Sequence, residues 1–178
     1  MNRVFDIPPP FRVPDGTWVS PFLNSKDNKS GLPFDLLDCF SIAAGRVDPG
    51  THSEIHVMPL VTQVTFVRSG SLRVKMQGKT DDGAYELNLE ANRAVLTEPG
   101  VAFQLLNAGQ QPCEVLYIVG PAYVFEMSAD GQVRYDDATV LGSDWTAISE
   151  LLARGATPEA MAQRKRDRES ATKRNRGA

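Results

Sequence analysis

The chain contains two histidines, His52 and His56, both in the run THSEIHVMP. His52, Glu54, His56 and Met58 recur with a period of two. An extended backbone would place all four side chains on one side. Two imidazoles and a carboxylate are the ligand set of facial-triad iron sites, so His52, Glu54 and His56 are candidate metal ligands. The alternative puts His52 and Glu54 in an exposed loop before the strand and leaves His56 alone facing inward, where a histidine is usually hydrogen-bonded. Met58 offers a thioether, which suits soft ions such as cuprous copper better than ferrous iron or zinc, and otherwise serves as packing.

Gln63 lies in TQVTFVR on the same face as Thr65 and Val67. Its amide oxygen is a neutral, weak metal ligand, and the group is better suited to donating and accepting hydrogen bonds toward a substrate. Phe103 and Gln104 are adjacent in VAFQLLN, and only one of them can share an inward slot. Phe103 would make the interior apolar; Gln104 would complete a polar cluster with His56 and Gln63. Tyr117 and Tyr123 flank Gly120-Pro121 and are candidate acids. Asp136-Asp137 could bind a cation, but read as exposed turn acids. The chain has no phosphate loop, nucleophile elbow, CxxC or HExxH pattern.

The elements that must position these residues are mostly strands. Residues 37–142 hold short β-type runs: Leu37–Ala43, Val61–Arg68, Ser71–Gln77, Ala84–Leu89, Ala94–Thr97, Val101–Asn107, Cys113–Val119, Tyr123–Met127 and Val133–Tyr135. Turn chemistry at Pro49-Gly50, Ser69-Gly70, Asp82-Gly83, Pro99-Gly100 and Asp130-Gly131 separates them, which predicts a sandwich or small barrel. Leu72, Val74 and Met76 alternate with Arg73 and Lys75, as do Tyr85, Leu87 and Leu89 with Glu86 and Asn88, so these strands read as half-buried. Residues 1–36 form an extended arm whose expected anchors are Phe5, Phe11, Trp18, Phe22 and Phe34. Residues 143–178 change period. A helix capped by Ser143 or Asp144 buries Trp145, Ile148, Leu151 and Leu152. A second starts at Thr157-Pro158 and runs into a highly charged segment without an apolar face. That segment reads as a solvated, partly helical or disordered tail, with polyanion binding as the sharper alternative.

Composition narrows the function classes. A chain of 178 residues with a formal net charge of −3 is one domain's length and gives no sign of nucleic-acid binding. No apolar run reaches the roughly 18–20 residues of a membrane span, and the first residues lack a signal-peptide core. Cys39 and Cys113 read as buried thiols in a reducing cytoplasm.

GTHSEIHVMPLVTQVTFVRSG resembles the first signature of the cupin superfamily: Gly, five residues, His-x-His, three or four residues, Glu, six residues, Gly. Gly50, His56 and Gly70 hold their places; Met58 stands at the second His and Gln63 at the Glu. EPGVAFQLLN resembles the second signature, Pro-x-Gly, two residues, His, three residues, Asn. Counted from Pro99 the His position is Gln104; counted back from Asn107 it is Phe103.

The resemblance covers residues 37–127. It implies an all-β, cupin-type antiparallel β-barrel or jelly roll, carrying the extended arm and short C-terminal helices, with its site in the bore. It also implies a divalent metal (iron, manganese, nickel, copper or zinc), for which His52, Glu54, His56 and Gln63 are the candidate ligands. Gln63, Met58, Phe103 and Gln104 are the candidate substrate contacts. The expected function is a metal-dependent, oxygenase-like enzyme acting on a small organic substrate. The superfamily's metal-free epimerases and isomerases imply an alternative with His56 as base and Tyr123 or Tyr117 as acid, and a non-catalytic small-molecule-binding module is a third. An exposed sheet edge and the aromatic arm favour a homodimer.

Overall fold

The computed structural model describes residues 4–24 and 38–177. Thirteen strands form two facing antiparallel sheets and a small hairpin. The first sheet runs in the order β1 (Phe11–Arg12), β2 (Trp18–Leu23), β3 (Ser41–Val47), β10 (Cys113–Gly120), β5 (Thr62–Ser69), β8 (Ala94–Thr97). The second is β13 (Thr139–Gly142), β4 (Ile55–Val57), β9 (Ala102–Leu106), β6 (Ser71–Gln77), β7 (Tyr85–Glu90). β11 (Phe125–Met127) and β12 (Val133–Asp136) make the hairpin. Among the described residues the architecture is all-β apart from the C-terminal helices and the helical Asp38 and Cys39.

Alternation sets the core. In β5, β6 and β10 every second residue is buried: Val67 from β5, Leu72, Val74 and Met76 from β6, and Val115, Tyr117 and Val119 from β10. Each large aliphatic side chain taken from water this way stabilises the fold by about 1.5–3 kcal/mol before entropy is counted. β4 and β9 are buried on both faces. Met58 and Phe103 enter the core between the sheets, while Ile55, Val57 and Ala102 meet Ile148 and Leu152 of helix α1 (Ile148–Gly155) on the outer side. Asp144 accepts from the Thr146 N–H and caps the single turn before α1. β7 departs from the half-buried reading. It is an edge strand, and Tyr85 and Leu87 are exposed, leaving Leu89 as its buried residue.

The arm is more than an overlay. β2 pairs with β3, extending the first sheet, and Phe5, Phe11 and Trp18 are exposed. The arm's buried groups are instead Thr17 and Ser20. Phe34 and Leu37 lie outside the described residues. Cys39 is exposed, contrary to expectation, whereas Cys113 is buried, and burial pushes its thiol up to about 11. No helix among the described residues is long and apolar enough to cross a membrane.

The charged C-terminal segment is a docked helix, α2 (Pro158–Gly177), which corrects the solvated-tail reading. It is held by arginines rather than by an apolar stripe. Arg174 grips both oxygens of the buried Glu126 at 2.7 Å. Arg168 donates to Asp137 Oδ1 at 2.9 Å and to the Ala122 carbonyl, and Arg164 bonds the Asp136 and Asp137 carbonyls. Ala171, fully buried, allows the close approach. Asp137 is likewise no exposed turn acid. It is 1% exposed and also accepts from the Val124 N–H and the Tyr135 hydroxyl.

Arg168→Ala would leave that buried carboxylate without its cation. The expected cost is about 3–5 kcal/mol, read as a lower urea midpoint. A loss below about 1 kcal/mol, the range of exposed pairs, would mean the helix does not rely on this contact.

Candidate functional site

The pairing around the two histidines decides what the site contains. His56 is opposite Phe103, but His52 is opposite Leu106, so the pairing slips by one residue between them. Such a bulge reverses the alternation of side chains. Ser53 makes it. Its N–H donates to the Leu105 carbonyl at 2.9 Å, and its buried hydroxyl accepts from the Leu105 N–H at 3.0 Å. His56 is thus turned inward while His52 is exposed, with Nδ1 3.0 Å from the Ser53 carbonyl. The expected grouping of His52, Glu54 and His56 on one side is not formed.

The same register settles the competition between Phe103 and Gln104. Phe103 points inward, its ring centroid 4.0 Å from that of His56. Gln104 faces the outer side, donating to the Ser53 carbonyl at 2.8 Å and accepting from the Trp145 indole at 3.0 Å. It is buried only because α1 and Trp145 cover that face. Neither residue lines the cavity described next, so the structure does not place them as substrate contacts.

A cavity of about 510 Å³ opens between the sheets, roofed by the arm. His56, Met58 and Gln63 all line it, with Tyr117, Tyr123 and Asp136. The arm adds Asp15, which sequence reasoning missed. Asp15 sits in the turn between β1 and β2, where its Oδ1 accepts from the Thr17 N–H at 2.9 Å and hydroxyl at 2.8 Å. Its carbonyl accepts from the Glu54 N–H at 2.7 Å, tying the turn to the bulge. Its Oδ2 then lies 3.6 Å from His56 Nε2. Glu54 contributes main chain: its carbonyl lies 3.0 Å from His56 Nδ1. A carbonyl can only accept, so Nδ1 carries the hydrogen and the lone pair of the neutral ring is on Nε2, the atom facing Asp15.

The other polar groups differ in how well they are satisfied. Gln63 donates to Thr65 Oγ1 at 3.0 Å. Tyr123 donates to Asp136 and accepts from the Ala138 N–H at 3.1 Å, so its hydroxyl is fully engaged. Burial, then the charge of Asp136, raises that phenol's pKa, and burial also raises the pKa of Asp136. Tyr117 is different. Its hydroxyl is buried and completes no hydrogen bond among the described residues, although Thr17 is near enough to ease its ionisation slightly. Burial, and then Asp15, push its pKa far above the ordinary phenol range, so Tyr117 remains a donor. An unpaired buried hydroxyl costs about 1–3 kcal/mol, and Thr97 Oγ1 and Arg164 Nε are also buried without partners among the described residues.

No family model matches the chain, and no curated protein matches it. Solved structures do. A deletion mutant of Bacillus subtilis oxalate decarboxylase superposes with a TM-score of 0.56 at 20% identity, covering 88% of this chain and 34% of that one. A second structure of that enzyme, studied for its Mn(II) centres, gives 0.55 at 19% identity over 75% of this chain and 30% of the other. The fold is a cupin-type jelly roll. The Drosophila melanogaster CENP-C cumin domain is also similar, with a TM-score of 0.50 at 11% identity over 62% of this chain and 71% of that domain. The chain spans about a third of the length of the oxalate decarboxylase chains it matches.

Manganese in one cupin neighbour raises the question of whether this cupin bore suits such an ion. Its donors do not fit. The cavity end offers one imidazole, one carboxylate already bonded to Thr17, a neutral amide and a thioether. Among the described residues no three His, Cys, Asp or Glu side chains converge. A hard divalent ion asks for several oxygen or nitrogen donors with compensating charge.

Gly45 holds Tyr117 in place. A Cβ there would lie 2.2 Å from Tyr117 Cε2 and 2.9 Å from Val115 Cγ2. Gly45→Ala is expected to cost about 1–3 kcal/mol in urea unfolding and to alter the near-UV tyrosine signal, since the ring has to move. An unchanged spectrum and midpoint would place the ring elsewhere.

Proposed function

We propose that this protein is a metal-free acid–base catalyst of the isomerase or epimerase type, acting on a small carbonyl compound in the cupin bore. The single observation that carries the reading is the geometry of His56. Its Nδ1 hydrogen is held by the Glu54 carbonyl, its Nε2 lone pair is at the cavity wall, and a carboxylate stands 3.6 Å from that nitrogen. This is the arrangement a general base needs: a fixed tautomer, and a counter-charge for the imidazolium that forms when it takes a proton.

The step is a proton abstraction beside a carbonyl. Nε2 of His56 removes the hydrogen from the α-carbon, and the electron pair of the broken C–H bond moves to the carbonyl oxygen. Tyr117 donates a hydrogen bond to that oxygen and stabilises the enolate. Return of the proton to carbon, on the same or another atom, restores a neutral product and a neutral His56. Tyr123 was the expected acid, but its hydroxyl is committed to Asp136, which supports Tyr117 for the role. Gln63 and Met58 serve as wall contacts of the cavity.

The test is deuterium exchange into the α-position of β-tetralone, a neutral bicyclic ketone, followed by proton NMR in D₂O. The wild-type protein should exchange it faster than buffer, and chelator treatment should leave the rate unchanged. His56→Gln is expected to lower the rate by about 10²–10⁴-fold, the usual worth of a general base. Tyr117→Phe should cost about 10²-fold or more, like loss of an oxyanion donor. Exchange abolished by chelation and restored by Mn(II), or unaffected by His56→Gln, would overturn the reading.

A companion substitution examines the counter-charge. Asp15→Asn keeps the shape and removes the charge. It should slow exchange by about tenfold or more while leaving the urea midpoint within about 1 kcal/mol, because the carboxylate is partly exposed. An exchange rate equal to wild type would remove Asp15 from the mechanism.

A further inference from the structure

The cavity's charge inventory restricts what can enter it. We infer that it takes an uncharged, largely apolar carbonyl compound and discriminates against anions. This rests on the acid–base reading for the polar end, and it adds the substrate class.

The wall away from His56 is apolar: Val13, Val19, Ala43, Val119, Phe125 and Met127 contribute to it. Among the described residues that line the cavity there is no lysine or arginine, and the carboxylates are Asp15 and Asp136. Arg164 stands behind Asp136 and does not line the cavity; its Nη2 donates to the Asp136 and Asp137 main-chain carbonyls, and its Nε is buried without a hydrogen bond among the described residues. An entering anion would lose its hydration, gain no paired cation and face two acids. The oxalate named for the fold's neighbours is that kind of ion, and a molecule of its size would leave most of the cavity unfilled.

Asp15 is bonded to Thr17 and faces His56, and Asp136 accepts from Tyr123 and from the Ala138 N–H. The Thr17, Tyr123 and Ala138 donors are neutral, so they do not offset the acids' charge toward an entering anion. Tyr117 also lines the cavity, and its buried hydroxyl completes no hydrogen bond among the described residues. One oxygen acceptor on an apolar body answers that inventory, and a volume near 510 Å³ falls in the about 300–1,000 Å³ range of small-molecule sites.

Titration calorimetry with two molecules of one ring system tests this: β-tetralone and the carboxylate of the same bicycle, each with the full-length protein. The ketone should bind at least about tenfold tighter than the anion, a difference of about 1.4 kcal/mol. Val119→Trp, which fills the cavity, should abolish ketone binding. If that variant does not fold, Val13→Trp on the arm provides the same block without touching the barrel. Equal or tighter binding of the carboxylate overturns the inference, as does absence of ketone binding or ketone binding that survives both blocking variants. Ketone-selective binding without deuterium exchange would uphold the ligand class while rejecting the catalytic reading, so the two fail separately.

Discussion

The site depends on one main-chain hydrogen bond, from the Glu54 N–H to the Asp15 carbonyl. The arm's first strand is two residues long and would hold its turn only loosely by itself. Bonding the turn to the residue just before β4 brings Asp15 against His56 and roofs the cavity in one contact. The bond exists because of the bulge. Ser53 uses its own N–H and hydroxyl to satisfy Leu105, so the next N–H along, that of Glu54, is released from the sheet ladder and directed to the arm. A local irregularity in one strand thus recruits a distant segment, and the recruited segment brings a carboxylate to the histidine.

Much of the barrel is written in local pattern. Ser71–Gln77 and Ala94–Thr97 are strands with the expected limits. Most others move by a residue or two at their ends, β3 lies four residues beyond the expected Leu37–Ala43, and β1, β2, β4 and β13 are not among the expected runs. Period-two alternation bounded by glycine turns is a short-range signal, and the two cupin-like signatures fix which strands carry the site. His56, Met58 and Gln63 at the cavity follow from that register. The rest turns on non-local facts. A one-residue slip at Ser53 separates His52 from His56, and nothing in THSEIHV distinguishes a bulged strand from a regular one. Asp15 reaches the site from far along the chain, in a proline-rich turn with no periodicity. The second signature's two registers differ by one residue, and only the observed pairing of His56 with Phe103 chooses between them.

The charged helix shows the same limitation from the other side. Lacking an apolar stripe, α2 has no amphipathic signal to announce that it docks. Its partners are carboxylates buried in the hairpin and the loop beyond it, Glu126 and Asp137, whose residue types suggest exposure. Each half of the arrangement is unfavourable alone: a buried carboxylate without a cation, and a run of arginines repelling one another. Together they form forked, charge-assisted bonds, which arginine makes and lysine does not. The complementarity is visible only when segments distant in sequence are read as one surface.

Asp136 and Asp137 show how that surface meets the cavity. Neighbouring residues at the end of β12 send their side chains in different directions. Asp136 turns to Tyr123 in the cavity wall, and Asp137 turns to Arg168 on the helix. Tyr123 is thereby fixed as wall rather than left as a reactive hydroxyl, and the acid beside it is occupied. His56, Asp15 and Tyr117 line the same cavity without bonding to that pair. The Phe103 ring lies beneath His56, with centroids 4.0 Å apart. It packs against the imidazole, which is also held by the Glu54 carbonyl and faces Asp15 of the arm.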